Sequence, residues 1–432
     1  MIHVHQCFNA VGHGSFLNGL ARDEGLAGSF SWIYDCGSKR TTRINQEIAS
    51  LEGWEQWPEE VDLLVLSHFD DDHVNGVERL LRSRRVRVLA LPYMDVGQSL
   101  VCAASFGRDP CSASTAAFQL DPAGWLLSRG LAEQVDTVLL VQGGPRGDDD
   151  PPVDGGPVPL PGGPDDNQRR QDGRADFNKA TSLHLSGSAR AASKTSTPRM
   201  LLWRHVASTA ARGIPLELTF FNATQPSLFR KDGSGALVAR RSRGSISVVQ
   251  GEVDAVVRRY GLHDLSRPPR RGWRDALRAV YVKHFGGSSQ QRNNISLCLL
   301  VRPLCLDLNA CVIFSDRYDD ISVDQERVEL QDRGGLLLLG DLRVDRDTIA
   351  EMQKHFGSVR WADIGTVQVP HHGSRYSWEA GAAASFSPDR FVHCVPDASS
   401  HHPHQAVGDD LRGFSVHCAN YQTQVAIDYH FD

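Results

Sequence analysis

The chain has 432 residues, 41% of them hydrophobic and 23% charged, with a formal net charge of −6. That is enough to bury a large core in one large or two ordinary domains, and it argues against a generally basic nucleic-acid coat; Arg-rich stretches at 79–87, 239–243 and 267–274 read first as solvated faces. Nine cysteines without a CxxC pair, an opening MIHVHQCF unlike a signal peptide, and no apolar run of membrane-spanning length lead to the expectation of a cytoplasmic, soluble protein with no membrane association.

In chain order, IHVHQCF and FSWIYD read as strands, separated by the glycine-bearing turn VGHGS and a loop rich in Gly and Asp. VDLLVLS is a buried strand, followed by HFDDDH, the helix-like VNGVERLLRS and the strand VRVLALPYM; this order is an α/β signature. TAAFQLDPAGWLLSRG reads as helical and VDTVLLVQ as a strand. Residues 143–198 are dense in Gly, Pro, Asp and Ser and read as a long disordered loop. Residues 200–285 regain apolar content (LELTFF, ISVV, RDALRAVYVKHF), as expected of an insertion or cap. Strand-like patterning then returns in NNISLCLLVRP, ACVIF, GGLLLLGDLR, VQVPHHGS, RFVHCVP and QVAIDYHFD.

Four segments at strand ends carry the chemistry. HFDDDH gathers His68, Asp70, Asp72 and His73 within six residues. Like charges packed so closely are costly without a cation, and a pair of divalent ions is the simplest reason to gather them. Asp341 follows a four-leucine strand and a glycine, where it could bridge two ions. VPHHGS supplies His371, His372 and Ser374, and SSHHPHQ supplies His401, His402 and His404. Singly, the last three read as ordinary turn or polar-loop residues; together with HFDDDH they point to one centre.

HFDDDHVNG after VDLLVLS resembles the metallo-β-lactamase-fold signature, in the variant form found in the hydrolase domain of ComEC-type DNA-uptake proteins. AVGHGSF, WIYDCGS, NNISLCLL, LLLLGDLR, VPHHGS and HHPH resemble further segments of that family in order, over Met1 to Pro92 and Asn293 to the C-terminus. Ala10 and Ser15 replace its usual acidic residues, Asn75-Gly76 replaces its Gly-Gly, and its membrane-spanning part is missing. His205, His263 and His284 have no context that would mark one of them as a further ligand.

The resemblance implies an αββα sandwich, with residues 1–99 and 291–432 as its halves and 100–290 as a large insertion. It implies that His68 and Asp70 hold one ion and Asp72 and His73 the other, with Asp341 bridging and His371 or, preferably, His372 completing the second site. His402 would stand near the substrate phosphate, and Asn294, Ser296 and Ser374 would contact substrate. Asp70 in place of a histidine hardens the site and favours manganese slightly over zinc. The expected activity is that of a phosphodiesterase, foremost a DNA nuclease, in which Asp72 orients the attacking water and His402 or His371 protonates the leaving oxygen. The alternatives are a hydrolase of small nucleotides, esters or lactones, and a non-catalytic, metal-bound scaffold or sensor in a defence complex; a stand-alone nuclease would be toxic if unrestrained, so a regulatory protein partner is expected for it.

Overall fold

The computed structural model describes residues 1–25, 28–104, 111–144, 198–205, 208–209, 211, 214–223, 227–264, 267–286, 295–304, 333–396, 399 and 402–431, and the backbone of 158–159, 210, 308–317 and 320–326. The strands in chain order are β1 (Ile2–Phe8), β2 (Gly14–Asp23), β3 (Ser29–Ser38), β4 (Glu60–Val65), β5 (Arg85–Pro92), β6 (Val135–Gln142), β7 (Val158–Pro159), β8 (Arg199–Arg204), β9 (Thr209–Ala210), β10 (Leu216–Asn222), β11 (Phe229–Lys231), β12 (Leu237–Ala239), β13 (Leu297–Pro303), β14 (Leu308–Arg317), β15 (Asp320–Glu326), β16 (Gly335–Leu338), β17 (Ile364–Gln368), β18 (Arg390–Cys394), β19 (Ser415–Ala419) and β20 (Thr423–Phe431). Two large sheets result, in the orders β15-β14-β20-β1-β2-β3-β4-β5-β6-β8 and β19-β18-β17-β16-β13-β10-β9-β7.

Period-two burial sorts the strand residues into three layers of core. Trp32, Tyr34, Leu63 and Val65 of the first sheet meet Leu299, Val301, Leu336 and Leu338 of the second in the central core. Their sequence neighbours Ile33, Leu64 and Leu66 point the other way, onto Ile44 and Ile48 of the helix Thr41–Gly53 and Val77, Leu80 and Leu81 of Val77–Ser83. Across the molecule, Leu300, Leu337 and Val367 turn outward onto Ile349, Met352 and Phe356 of the helix Arg346–Ala362. The architecture is a mixed α/β sandwich in the layer order helix, sheet, sheet, helix. The C-terminal β20 closes back on β1, with Ile2 opposite Phe431 and Phe8 opposite Val425.

Several elements differ from the sequence expectation for identifiable reasons. SFLNGLARD forms β2, although Asn18 and Gly19 interrupt its apolar pattern. Gly19 is required because the Trp32 ring lies where its Cβ would be, at 2.1 Å, and the Asn18 side chain accepts a bond from Asn9 Nδ2 at 2.7 Å. The helical stretch around TAAFQLDPAGW divides at Asp121, which caps Pro122–Ser128 by accepting from Gly124 N–H at 2.9 Å. ISVV opens the helix Ile246–Tyr260, and with Trp273–Phe285 it contributes Val253, Val257 and Leu277 to the outer core of the first sheet. β6 and β8 extend the first sheet, and β10 pairs with β13 of the second, so strands from within 100–290 belong to both sheets. Most of the loop expected at 143–198 lies outside the described residues.

Strands β3, β4, β5, β6 and β8 run parallel, as do β16, β17, β18 and β19. The loops leaving β4, β16, β17 and β18 carry the four chemistry-bearing segments. In open α/β sheets, the carboxyl ends of parallel strands are where ligand sites form.

Candidate metal centre

β4 ends at Val65, and Ser67–Asp70 lead into the single helical turn Asp71–Val74. Two carboxylates in that first turn are favourably placed against the helix N-terminus. The three aspartates of HFDDDH then diverge. Asp71 is tied to the start of the helix Ala113–Leu120, accepting from Ser112 N–H at 3.0 Å and from the Thr115 hydroxyl. Asp72 turns inward, and Asp70 remains 58% exposed. The turn sits directly on β3: a Cβ on Gly37 would lie 2.5 Å from the Asp72 carbonyl carbon and the His73 nitrogen.

Two groups of three side chains converge there, each within the span a single cation could bridge. In the first, His68 Nε2 lies 3.5 Å from Asp341 Oδ2 and His73 Nε2 lies 3.2 Å from Asp341 Oδ1. In the second, His13 Nε2 and His372 Nε2 each lie 3.6 Å from Asp72 Oδ2. The groups adjoin, with the His73 and His372 rings 5.8 Å apart between centroids. Nε2 of His68, His73 and His372 and Oδ1 of Asp341 are buried without a hydrogen-bond partner. Buried polar atoms are seldom left so, and a cation in each group would satisfy all four. The donor set therefore fits metal.

The opposite ring nitrogens are held by the scaffold. His73 Nδ1 donates to Asp35 Oδ2 at 2.8 Å, and Asp35 also accepts from Ser67 N–H at 2.7 Å and Ser67 Oγ at 2.8 Å. His372 Nδ1 donates to the Cys394 carbonyl at 2.7 Å. Each bond fixes the tautomer that leaves Nε2 bare toward the centre, the arrangement used by metal-ligating histidines. Asp35, His371 and His372 have φ of 57°, 48° and 54°. Non-glycine residues in this region store backbone strain, typically at functional sites. Gly340 (φ 55°) brings Asp341 in close, where any Cβ would meet Ser67 and Ser296 at 2.5 Å. Asp341 N–H in turn donates to Ser296 Oγ at 3.0 Å.

The electrostatics also call for positive charge. Burial opposes ionisation of Asp341 and Asp72, and the two carboxylates repel each other. Even so, the imidazoles around them hold both below the usual carboxylate range: His371, His73 and His68 for Asp341, His372 and His73 for Asp72. Burial and the neighbouring ring charge oppose protonation of His68, yet Asp341 and Asp70 raise it. Burial likewise opposes protonation of His73, and Asp341 with Asp35 raises it further. Metal-free, the first group thus takes up protons to balance its carboxylate, and a cation would displace them. His13 behaves oppositely. Burial, with His372 and Lys39 nearby, lowers it to about 3, so its ring is neutral and ready to ligate.

His68, Asp72, His73, Asp341 and His372 are thus brought together. The pairing differs from the expectation, because His73 stands with His68 and not with Asp72. Asp70 approaches His68 at 3.6 Å but belongs to neither group. His371 is half-exposed, 3.6 Å from Asp341 Oδ2 and 2.9 Å from Ser377 Oγ. The His402 ring lies 5.7 Å from His13 and 6.4 Å from His372, at the edge of the centre. Ser296 supports Asp341 from beneath, and buried Ser374 accepts from Tyr376 N–H at 3.3 Å. Asn294 and His401 lie outside the described residues. His205, His263 and His284 lie elsewhere: His205 bonds Asn222 N–H and Gly144 O, His263 faces Asp121, and His284 bonds Ser242 and Glu252.

The residue that sequence reasoning missed is His13. A lone histidine between two glycines reads as a turn, and its partners are 59 and 359 positions away (72 − 13 and 372 − 13). The available signal was the glycine on each side of it, since Gly12 and Gly14 take φ of 64° and 155° and Tyr421 and Gly37 approach them too closely for a Cβ.

No protein-family model and no curated protein match this chain. Among solved structures, the crystal structure of unliganded yeast PDE1 is similar over 98% of this chain and 99% of that one, at 7% identity and a TM-score of 0.36. So remote a likeness carries no argument about residues or chemistry. No helix among the described residues is long and apolar enough to cross a membrane.

Proposed function

We propose that this protein is a metal-dependent phosphodiesterase of the metallo-β-lactamase fold, with DNA as its foremost substrate. The observation that carries this reading is the pair of adjoining groups, His68/His73/Asp341 and His13/Asp72/His372, in which Nε2 of His68, His73 and His372 and Oδ1 of Asp341 are buried without a hydrogen-bond partner. In this reading residues 1–99 and 291–432 form the two halves of the fold, and 100–290 is an elaboration that also widens both sheets.

Divalent ions bound there would lower the pKa of a water and draw charge from a phosphodiester. Four imidazoles and two carboxylates suit zinc as well as manganese, and the earlier preference for manganese weakens because it rested on Asp70. The protein's own part is orientation and proton transfer. Asp72 accepts a hydrogen bond from the attacking water as its oxygen joins phosphorus and the ester P–O bond breaks. His402 or half-exposed His371 supplies the proton to the departing oxygen. Two anionic carboxylates in the groups disfavour an anionic substrate unless cations are present, so activity should depend fully on metal.

The test is elemental analysis of chelator-free protein, followed by assays of bis-p-nitrophenyl phosphate and DNA with manganese, zinc or magnesium. Bound metal and metal-dependent cleavage of both substrates are expected, with Asp72→Ala inactive but folded. Protein that binds no metal, or that cleaves only thioesters or lactones, would overturn the assignment.

A further inference from the structure

Two basic–aromatic pairs border the metal centre, and the proposed chemistry uses neither. Arg375 and Tyr376 directly follow the His371–Ser374 loop. The Arg375 guanidinium stands 4.7 Å from the Tyr376 ring centroid and donates to its hydroxyl at 2.6 Å. Tyr376 is 73% exposed, the highest value among the exposed large hydrophobic side chains of the described residues. The second pair is Arg40 and Tyr421, with the guanidinium 4.0 Å above the ring. The Tyr421 ring packs against Gly12, the residue before His13, where a Cβ would approach it to 2.4 Å. Exposed Lys39 joins this pair, its backbone N–H donating to the His13 carbonyl at 2.7 Å. The His13 and His372 rings are only 4.3 Å apart, so both pairs flank the same group.

We propose that these pairs form a binding platform for unpaired polynucleotide, with Tyr376 stacking on a base and Lys39, Arg40 and Arg375 holding the adjacent phosphates. The proposal rests on the phosphodiesterase reading and deepens it by naming the strand state of the substrate. Cations alone would accept single strand and duplex alike, since both present phosphates. An exposed aromatic ring discriminates between them. Within a duplex each base face is already covered by its neighbours, whereas an unpaired strand offers free faces, and such stacking tolerates any base. Three cations bordering a carboxylate-rich centre give the phosphates of an anionic chain a place to be held beside it.

The experiment measures fluorescence anisotropy of a labelled oligothymidylate and of a duplex of equal length, with the full-length protein in EDTA over a salt series. The expected result is at least about tenfold tighter binding of the single strand, about tenfold of which is lost in Tyr376→Ala. Arg40→Ala should reduce the slope of log affinity against log salt by about 0.7, the value for one phosphate contact on a single strand. Equal affinity for strand and duplex, or unchanged strand affinity in Tyr376→Ala, would overturn the platform. Hydrolysis of bis-p-nitrophenyl phosphate by the unmodified protein, which involves no base, reports on the chemistry separately. Strand-selective binding without any such hydrolysis would support the platform and reject the reaction.

Discussion

His73 can meet a cation through Nε2 only while its proton stays on Nδ1, and Asp35 holds it there at 2.8 Å. Asparagine would keep the shape of Asp35 but turn an NH2 toward that nitrogen, driving the proton to Nε2 and closing the ligand position. Asp35→Asn should therefore weaken metal affinity by about 10- to 100-fold, measured by titration against a competing chelator, with the fold retained. A purely structural aspartate would show a stability loss and unchanged affinity. His13 and Asp70 give a paired prediction. His13→Ala should abolish one of two metal-binding events in the same titration, whereas Asp70→Ala, at an exposed position outside both groups, should leave both within a few-fold. The opposite result would restore the pairing implied by the family resemblance. At this scale HFDDDH was legible because ligands clustered in sequence betray their own repulsion, whereas Asp341 was picked out by its place after a buried strand and His372 by the family resemblance. His13 and the role of Asp35 were not, because each makes sense only beside residues contributed by other strands.

The turn carrying His73 is positioned by contact with β3. Gly37 leaves no room for a methyl group: both atoms nearest its absent Cβ are backbone, at 2.5 Å, so no side chain can swing aside. Gly37→Ala should push the Asp71–Val74 turn outward, lower the melting temperature by an amount corresponding to about 1–3 kcal/mol, and reduce metal affinity with it. Gly53→Ala is the control, since nothing lies within 4 Å of that position. It should be neutral or slightly stabilising. An equal response from both variants would mean the collision is relieved without moving the turn. Strands were readable where apolar residues ran unbroken, as in β4, β5 and β6. β2 was not, because its Asn18 and Gly19 answer to Asn9 and the Trp32 ring, which a local pattern cannot register. The helix Ile246–Tyr260 was obscured by its β-branched opening, in which Ile246 and Val248 are exposed; the burial of Val249, Val253 and Val257 along one face overrides it.

The second sheet and its covering helix are joined by ions as well as by apolar contact. Glu217 on β10 is 1% exposed and accepts from Arg360 of the helix Arg346–Ala362 at 2.7 Å and from Arg302 of β13 at 2.8 Å; Arg302 also pairs with Asp363. Burial alone would raise the Glu217 carboxyl, but the hydrogen bonds from Arg360 and Ser208 and the charges of Arg360 and Arg302 outweigh it and lower it. A carboxylate whose folded pKa is depressed adds stability that is fully present above its unfolded value, about 4.3, and is lost as pH falls through the lowered folded value. The wild-type melting temperature should therefore fall on acidification below about pH 4.5, in part through this group. Glu217→Gln removes the carboxylate that faces the buried Arg360 guanidinium, while Arg302 keeps Asp363; breaking a buried pair typically costs about 3–5 kcal/mol. The variant should melt well below the wild type at pH 7, and the gap should narrow over the acid range below the unfolded value of about 4.3, towards the lowered folded value. A gap that stays constant across that range would show that Glu217 acts by packing and hydrogen-bond geometry, not by its charge. Because the network lies between β10, β13 and the outer helix rather than at the metal centre, the same narrowing should appear whether or not metal is bound, which separates the acid response of the scaffold from proton competition at the ligands.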